Sequence, residues 1–530
     1  MCAAGAESYR HGGGRVIDCF ERIETLMQGT VYLLGAGPGD PSLMTLRGKE
    51  LVENADCLIY DALIAPEILA WTKPGCVSVY VGKRAARHAM PQEEINRLLA
   101  ESSRRFQRVV RVKGGDPYVF GRGGEEGEAL AAEGIPFEVV PGISSAIAGP
   151  GYAGIPVTHR GVCTQLTVFT GHEDSGKEAP SLDIEGIARA QGTKIMLMGM
   201  SCLRETFDKL MAAGQDAATP AAAVQWAATG RQRSVRATVG DLADTVDKAS
   251  LGAPAIVIIG EVVSKAETLG WYEKLPLFGK RVVVTRTRRQ AGALSRRLRD
   301  LGADVIELPT IRIADPVDKQ TFAELVVDAH HYNWLIFTSP NGVKRFFEAF
   351  FAAYPDIRHI GGARIAAIGP GTVAALKEYG LAIDLVPEKS VAEELLKAFV
   401  KERERVGGIE HCTMLWVHGA QARDVLYKGL MAMGGIVDEC IAYDTVPETD
   451  DPTGARERLR REGADVITFT SSSTVRHFMA LDLLIPAHCR VVSIGPVTTA
   501  TLKEYGITPV ATARKHDIEG LVEAIQRLFS

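Results

Sequence analysis

The chain has 530 residues, 46% of them hydrophobic and 24% charged, with a formal net charge of −5. That length suits two to four domains of an ordinary globular protein. The mild negative charge excludes a generally nucleic-acid-binding surface and leaves any polyanionic ligand to local basic patches. Nine scattered cysteines with no Cys-x-x-Cys pair argue against a disulfide framework or a structural zinc site, so a reducing compartment and no metal are expected.

Residues 1–28 carry Arg10, Arg15, Glu21 and Glu24 among glycines, without the apolar core of a signal peptide. They are expected to be a ragged, partly disordered extension. No stretch approaches the roughly 18–20 apolar residues of a membrane span, so no membrane partner and a cytoplasmic location are expected. Over residues 31–263 short apolar runs alternate with helical patterns. The strand candidates are Val31–Leu34, Cys57–Tyr60, Val77–Val81, Val109–Val112, Phe137–Val140, Leu166–Thr170, Ile195–Met198 and Ile256–Ile259. Nearly all are punctuated by glycine, proline or charge, which predicts α/β layers.

The first strand runs into GAGPGD, a loop that turns sharply and admits a ligand close to its backbone. It fails the dinucleotide fingerprint: the third glycine is Gly39, not residue 40, and Pro38 lacks an amide donor. It also lacks the Gly-Lys-Ser/Thr of a triphosphate loop. A ligand without phosphate suits it better. Two further small-residue loops follow strands, Gly114-Gly115-Asp116 after Val112 and PGISSA after Val140. Such loops at strand ends line one crevice in open α/β sheets.

Near WYEKLPLFG (271–279) the texture changes to a proline-containing connector, and GKRVVVTRT opens a new module. That module contains an internal repeat. IAAIGPGTVAALKEYGL (365–381) echoes VVSIGPVTTATLKEYGI (491–507), and LIFTSPNGV (335–343) echoes ITFTSSSTV (467–475). The period is too long for a solenoid and predicts two similar α/β halves with a cleft between them.

GAGPGDPSLMTLRG, YDALIAPEIL, VGKRAARHAMPQEEINRLL, VVRVKGGDPYVFGRGGEE, VVPGISSAIAGPGYAGIPVTHRG, VFTGH and IMLMGM resemble the uroporphyrinogen-III C-methyltransferase family over about residues 30–275. The resemblance implies a two-lobed α/β fold and S-adenosylmethionine as cofactor, a sulfonium without phosphate. It implies cofactor contacts at Pro38, Gly114, Gly115, Asp116, Val119, Ser144, Ser145 and Met198. Ala227 is included too, where the family often has glycine. Asp61 matches the family's proton acceptor and Lys83 its donor. The substrate that the resemblance implies is a macrocycle with eight carboxylates. Arg84, Arg87 and His88, with Lys83, Arg111, Lys113 and Arg122, are candidate partners for them.

FTSPNGV, AIGPGTVAALKEYG, DLVPEKSVAEELL, ECIAYDTVPE, FTSSSTV, SIGPVTTATLKEYG and IEGLVEAI resemble the uroporphyrinogen-III synthase family over about residues 279–530. The resemblance implies two similar α/β domains joined by a two-stranded connector. It also implies closure of hydroxymethylbilane with inversion of the last pyrrole ring. Tyr443 matches the suspected general acid. Thr338, Ser339, Ser471, Ser472 and Thr498 are candidate substrate contacts, Arg286, Arg423 and Lys428 weaker ones, and His418 reads as structural or peripheral rather than catalytic.

The expected organisation is an extension (1–28), a methyltransferase (29–270), a linker (271–279) and a synthase (280–530). The synthase halves are 280–312 plus 446–530, and 313–445. Together the resemblances imply a bifunctional enzyme that makes uroporphyrinogen III and methylates it twice to precorrin-2, bound for sirohaem or cobalamin. They also imply a homodimer formed through the methyltransferase. Alternatives left open are methylation of a later corrin precursor, a catalytically inactive C-terminal binding module, and a phosphate-dependent dinucleotide enzyme, which Pro38 disfavours.

Overall fold

The computed structural model describes residues 28–82, 90–171, 182–389, 391–401, 408–451 and 453–530, with the side chains of residues 288–291 excepted. The continuous apolar run at residues 31–34 becomes an interior strand, because a parallel strand covered on both faces needs no polar side. Strands β1 (Thr30–Gly35), β2 (Cys57–Tyr60), β3 (Val77–Tyr80), β4 (Arg108–Lys113) and β5 (Phe137–Val140) form a parallel sheet in the order β3-β2-β4-β1-β5. Each face carries its own core. Leu34, Leu58 and Val112 pack on one side, and Val31, Leu33, Ile59 and Val109 on the other.

A second sheet contains β6 (Leu166–Thr170), β7 (Thr193–Leu197), β8 (Pro220–Gln225), β9 (Arg233–Thr238) and β10 (Ala255–Ile259), ordered β6-β7-β10-β8-β9. Only β6 and β7 are parallel. The sequence reading missed β8 and β9. The Ala-Ala-Ala run of β8 has weak strand propensity, and its pairing with β9 and β10 supplies what the local sequence lacks.

The segment expected to be a linker is firmly packed. Tyr272 is buried and meets Tyr152 at 4.8 Å and Phe278 at 5.5 Å between ring centroids, and Trp271 meets Tyr152 at 5.2 Å. Leu277 enters the core of the following domain. Aromatic pairs of this kind add about 0.5–1.5 kcal/mol each beyond their burial.

The chain then lays down β11 (Arg281–Val284), helix α1 (Arg288–Asp300) and β12 (Asp304–Glu307), and leaves through β13 (Ile311–Ala314). The middle segment supplies β14 (Trp334–Phe337), helix α2 (Pro340–Ala353), β15 (Arg364–Ala367), helix α3 (Pro370–Glu378) and β16 (Thr413–Gly419). It returns along the long β17 (Ile436–Pro447) to β18 (Val466–Phe469), helix α4 (Ser472–Ala480), β19 (Arg490–Ser493), helix α5 (Pro496–Glu504) and β20 (Ala511–Thr512). Two five-stranded sheets result, ordered β12-β11-β18-β19-β20 and β13-β17-β16-β14-β15. The first part of β17 pairs with β16, and its end runs antiparallel to β13, so β13 and β17 form the two-stranded connector.

The repeat seen in the sequence is structural. β14–α2 and β15–α3 correspond to β18–α4 and β19–α5. Ser339 and Ser471 cap the N-termini of α2 and α4, accepting from the Gly342 and Thr474 amides at 3.0 and 3.2 Å. At Ser471 the bond is reciprocal, because its own amide donates to Thr474 Oγ1. Among the described residues no helix is long and apolar enough to cross a membrane. Ser471→Ala is expected to lower stability by about 1 kcal/mol, the usual worth of a cap, as measured by the denaturant midpoint at unchanged slope.

Candidate active site

Three loops at the carboxyl ends of adjacent parallel strands are pressed together. Gly37, after β1, and Gly115, after β4, exchange two backbone hydrogen bonds at 3.2 and 2.8 Å. Gly142, after β5, is packed so closely that a Cβ there would lie 2.2 Å from the Gly115 carbonyl oxygen. Asp116 locks the arrangement: one carboxylate oxygen accepts from the Gly142 amide at 3.0 Å and the other from the Tyr118 amide at 2.8 Å. Its carboxylate therefore ties the second loop to the third as well as lining the cavity beside them.

That cavity, about 980 Å³, lies between the two N-terminal sheets. The structure brings Pro38, Gly114, Gly115, Asp116, Val119, Ser144, Ser145, Met198 and Ala227 to its wall, together with Asp61. Ser144 caps the short helix that follows it through the Ala146 amide. Met198 leaves β7 with φ 53° and half its surface exposed into the cavity. Ala227 is not itself in the left-handed region. Its neighbours Trp226 (φ 49°) and Ala228 (φ 61°) carry that conformation, so a methyl group at 227 is tolerated. Lys83, Arg84, Arg87 and His88 lie outside the described residues.

Asp61 follows β2. One carboxylate oxygen accepts from the Leu63 amide at 3.1 Å, and the other is 3.6 Å from the Arg111 guanidinium. Arg111 and Lys113 are almost fully buried, although they sit on interior strand β4. Both converge on Oε1 of the fully buried Glu126, at 3.2 and 2.7 Å, and Gln92 donates to the same oxygen at 3.3 Å. Glu126 Oε2 has no hydrogen-bond partner among the described residues. Burial, and then the Arg111 charge, lower the Lys113 pKa below its ordinary value, against the support of Glu126. Arg111 and Lys113, candidate receivers of substrate carboxylates, thus already face protein carboxylates, and Arg122 pairs with exposed Glu125. The sequence reading missed Glu126. The available signal was two cations in an apolar central strand, which demand a buried anion.

The second set of candidates falls into two clusters, one per C-terminal sheet. After β14, the Tyr443 hydroxyl donates to Ser339 Oγ at 2.9 Å, and Thr338 donates to the Val417 carbonyl at 3.5 Å. Burial raises the Tyr443 pKa, with Ser339 and Asn341 opposing, so the phenol stays protonated at neutral pH. Gly419 gives its ring room: a Cβ there would meet it at 2.7 Å. After β18, Ser471 is the helix cap, and Ser472 accepts from Thr501 at 2.8 Å. Thr498 is buried. Burial lowers the pKa of Arg286. Arg423 and Lys428 form exposed pairs with Glu393 and Asp424. His418 is buried, stacked on Trp416 and bonded to the Gly419 carbonyl, in keeping with a structural role.

Two family models match the chain: Tetrapyrrole (Corrin/Porphyrin) Methylases over residues 30–243, and Uroporphyrinogen-III synthase HemD over residues 292–523. The chain is 36% identical to the porphyrin biosynthesis protein HemD of Ruminiclostridium josui over 498 residues, covering 94% of this chain and 97% of that protein. It is 39% identical to the uroporphyrinogen-III C-methyltransferase of Bacillus subtilis over 366 residues, covering 69% and 74%. The S-adenosyl-L-methionine-dependent uroporphyrinogen III methyltransferase of Methanosarcina barkeri is 46% identical over 242 residues, covering 46% and 95%.

Glu126→Gln leaves two buried cations short of their anion, so it is expected to cost about 3–5 kcal/mol. Glu125→Gln, on the exposed neighbour, should cost less than about 1 kcal/mol. Paired urea titrations of the two variants measure the contrast.

Proposed function

The chain belongs to the porphyrin-biosynthesis family in which a tetrapyrrole methylase and a uroporphyrinogen-III synthase share one polypeptide, and from that premise we propose the roles of its two sites. It is a bifunctional tetrapyrrole-biosynthesis enzyme that uses S-adenosylmethionine. The C-terminal half (280–530) closes hydroxymethylbilane to uroporphyrinogen III with inversion of the last ring. The N-terminal half (29–270) methylates that product twice to precorrin-2. The observation that carries the reading is the cavity where loops of both N-terminal sheets meet Asp61.

The lining fits a cationic, phosphate-free nucleoside. Pro38 offers no amide to a phosphate, and Asp40 and Asp116 bring carboxylates from the glycine loops. The cations of the lining, Arg111, Lys113, Arg122, Arg231, Arg299 and Arg458, each face a carboxylate already. When bound, the cofactor supplies an electrophilic methyl group on a sulfonium. The protein aligns an electron-rich pyrrole carbon with it in a site that excludes water. Asp61, oriented by the Leu63 amide, takes the proton that the methylated ring must lose. Lys83 as donor and Arg84 and Arg87 as carboxylate partners complete the assignment.

In the synthase half, Tyr443 protonates the departing hydroxyl of the bilane, giving up its bond to Ser339. Thr338 and Ser339 on one sheet, and Ser471 and Ser472 on the other, hold the bilane carboxylates across the cleft. Closure of the two halves bends the chain for ring formation. The enzyme acts in the cytoplasm as a homodimer joined through its N-terminal half, and light scattering at twice the chain mass tests that assembly.

Incubation with hydroxymethylbilane and labelled S-adenosylmethionine is expected to place two methyl groups on each type III ring. No methylation of uroporphyrinogen III, with label entering only later corrin precursors, would contradict the reading. Asp61→Asn should lower methylation kcat by about 10²–10⁴. Tyr443→Phe should slow ring closure while leaving methylation of supplied uroporphyrinogen III intact.

A further inference from the structure

The methyl-transfer cavity is not walled by the N-terminal half alone. Arg299, at the end of α1, residues 303–305, Thr453 and Arg458 also line it. Two contacts hold this distant part of the chain in place.

The first is electrostatic. Glu67, six residues after Asp61, lies in the first turn of the 3₁₀ segment Pro66–Trp71 and pairs with the Arg299 guanidinium, which also donates to Glu307 at 3.3 Å. All three side chains are under 20% exposed. Burial, and then the nearby Glu67 charge, raise the Glu307 pKa, while Arg299 holds it down. The segment that carries Asp61 is thus tethered at its far end to the C-terminal half.

The second contact is steric. Gly230 lies against the backbone of the turn before β12: a Cβ there would stand 2.2 Å from the Asp304 nitrogen and 2.3 Å from the Ala303 carbonyl carbon. Beside it, Arg231 covers the Trp226 ring at 4.0 Å and reaches to 3.9 Å from Glu462. Burial alone would raise the Glu462 carboxyl, but Arg461, Arg458 and Arg231 outweigh it and pull it down to about 2. Residues Trp226 and Ala228 hold left-handed backbone in the cavity wall. Such conformations are strained for residues with a side chain and persist only where the surroundings enforce them. Here part of those surroundings comes from residues 303–304 and 462.

We propose that the C-terminal half is a working part of the methyl-transfer site, with Arg299 and the Ala303–Asp304 turn as positioning elements. Arg299 fixes the Asp61 segment through Glu67, and the turn fixes the Trp226–Arg231 loop. Methyl transfer then depends on the synthase half even when uroporphyrinogen III is supplied ready-made. The proposal rests on the reading of the N-terminal site given above.

The test uses the full chain and two assays: methylation of supplied uroporphyrinogen III, and ring closure of hydroxymethylbilane without S-adenosylmethionine. Arg299→Ala and Gly230→Ala are each expected to lower methylation kcat by roughly ten- to hundredfold, the scale of a small misplacement of reacting groups. Ring closure should stay within about twofold of the parent in both variants, since neither touches that chemistry. Arg299→Lys should recover part of the loss, as should the charge-exchanged pair Glu67→Arg with Arg299→Glu. Parental methylation rates in Arg299→Ala and Gly230→Ala would overturn the proposal, as would an equal fall in both activities. Failure of the site reading itself shows separately, as a parent enzyme that methylates nothing.

Discussion

Three glycines in backbone contact govern the N-terminal half. A Cβ on Gly35 would meet the Gly115 oxygen at 2.5 Å and the Gly142 Cα at 2.6 Å, so the ends of β1, β4 and β5 close on one point. These are neighbouring strands of a parallel sheet, and their loops emerge on the same edge. Side chains at these positions would wedge the loops apart. With glycine there, the backbone of three loops becomes the floor of a crevice, and Asp116 ties it together through the Gly142 amide. Asp61 enters the same crevice from β2, and Met198 and Ala227 enter from the second sheet.

Beneath that floor lies a charged interior. Arg111 and Lys113 alternate with valines on β4 and share one oxygen of Glu126. Removing charges from water gains little net stability when they are paired, so the network is better understood as fixing geometry. It holds Arg111 beside Asp61 and brings helix Gly123–Ala132 onto the strand that ends in the glycine loop. The same economy of position recurs in the C-terminal half. The serines that cap α2 and α4 occupy equivalent places in the repeat, yet only Ser339 meets a tyrosine from the connector strand.

Much of this was legible in the sequence, and the physical reasons separate what was from what was not. A strand buried on both faces announces itself as an apolar run, so Cys57–Tyr60 fell at its observed bounds. Phe137–Val140 and Leu166–Thr170, partly covered edge strands set off by glycine, proline or charge, also fell at theirs. The repeat was visible because helix-start chemistry, Thr-Ser and Gly-Pro after a strand, recurs in register. β8 was not visible, because an alanine run becomes a strand only through its partners. Glu126 was hidden by the reading of Arg111 and Lys113 as partners for substrate carboxylates. Arg299 could not be found from local pattern at all, since its partner Glu67 is 232 residues away. The segment Trp271–Gly279 has the proline of a connector, yet its aromatic side chains pack on Tyr152 while Leu277 enters the core of the following domain.

The central claim is that the glycine contact shapes the cofactor crevice. Calorimetric titration of S-adenosylhomocysteine into the full chain and into Gly142→Ala tests it most directly. An added methyl in so tight a contact costs about 1–3 kcal/mol. The account therefore predicts single-site binding by the parent and affinity roughly tenfold weaker or worse in the variant, with hydroxymethylbilane closure retained. Undiminished affinity in Gly142→Ala would contradict it.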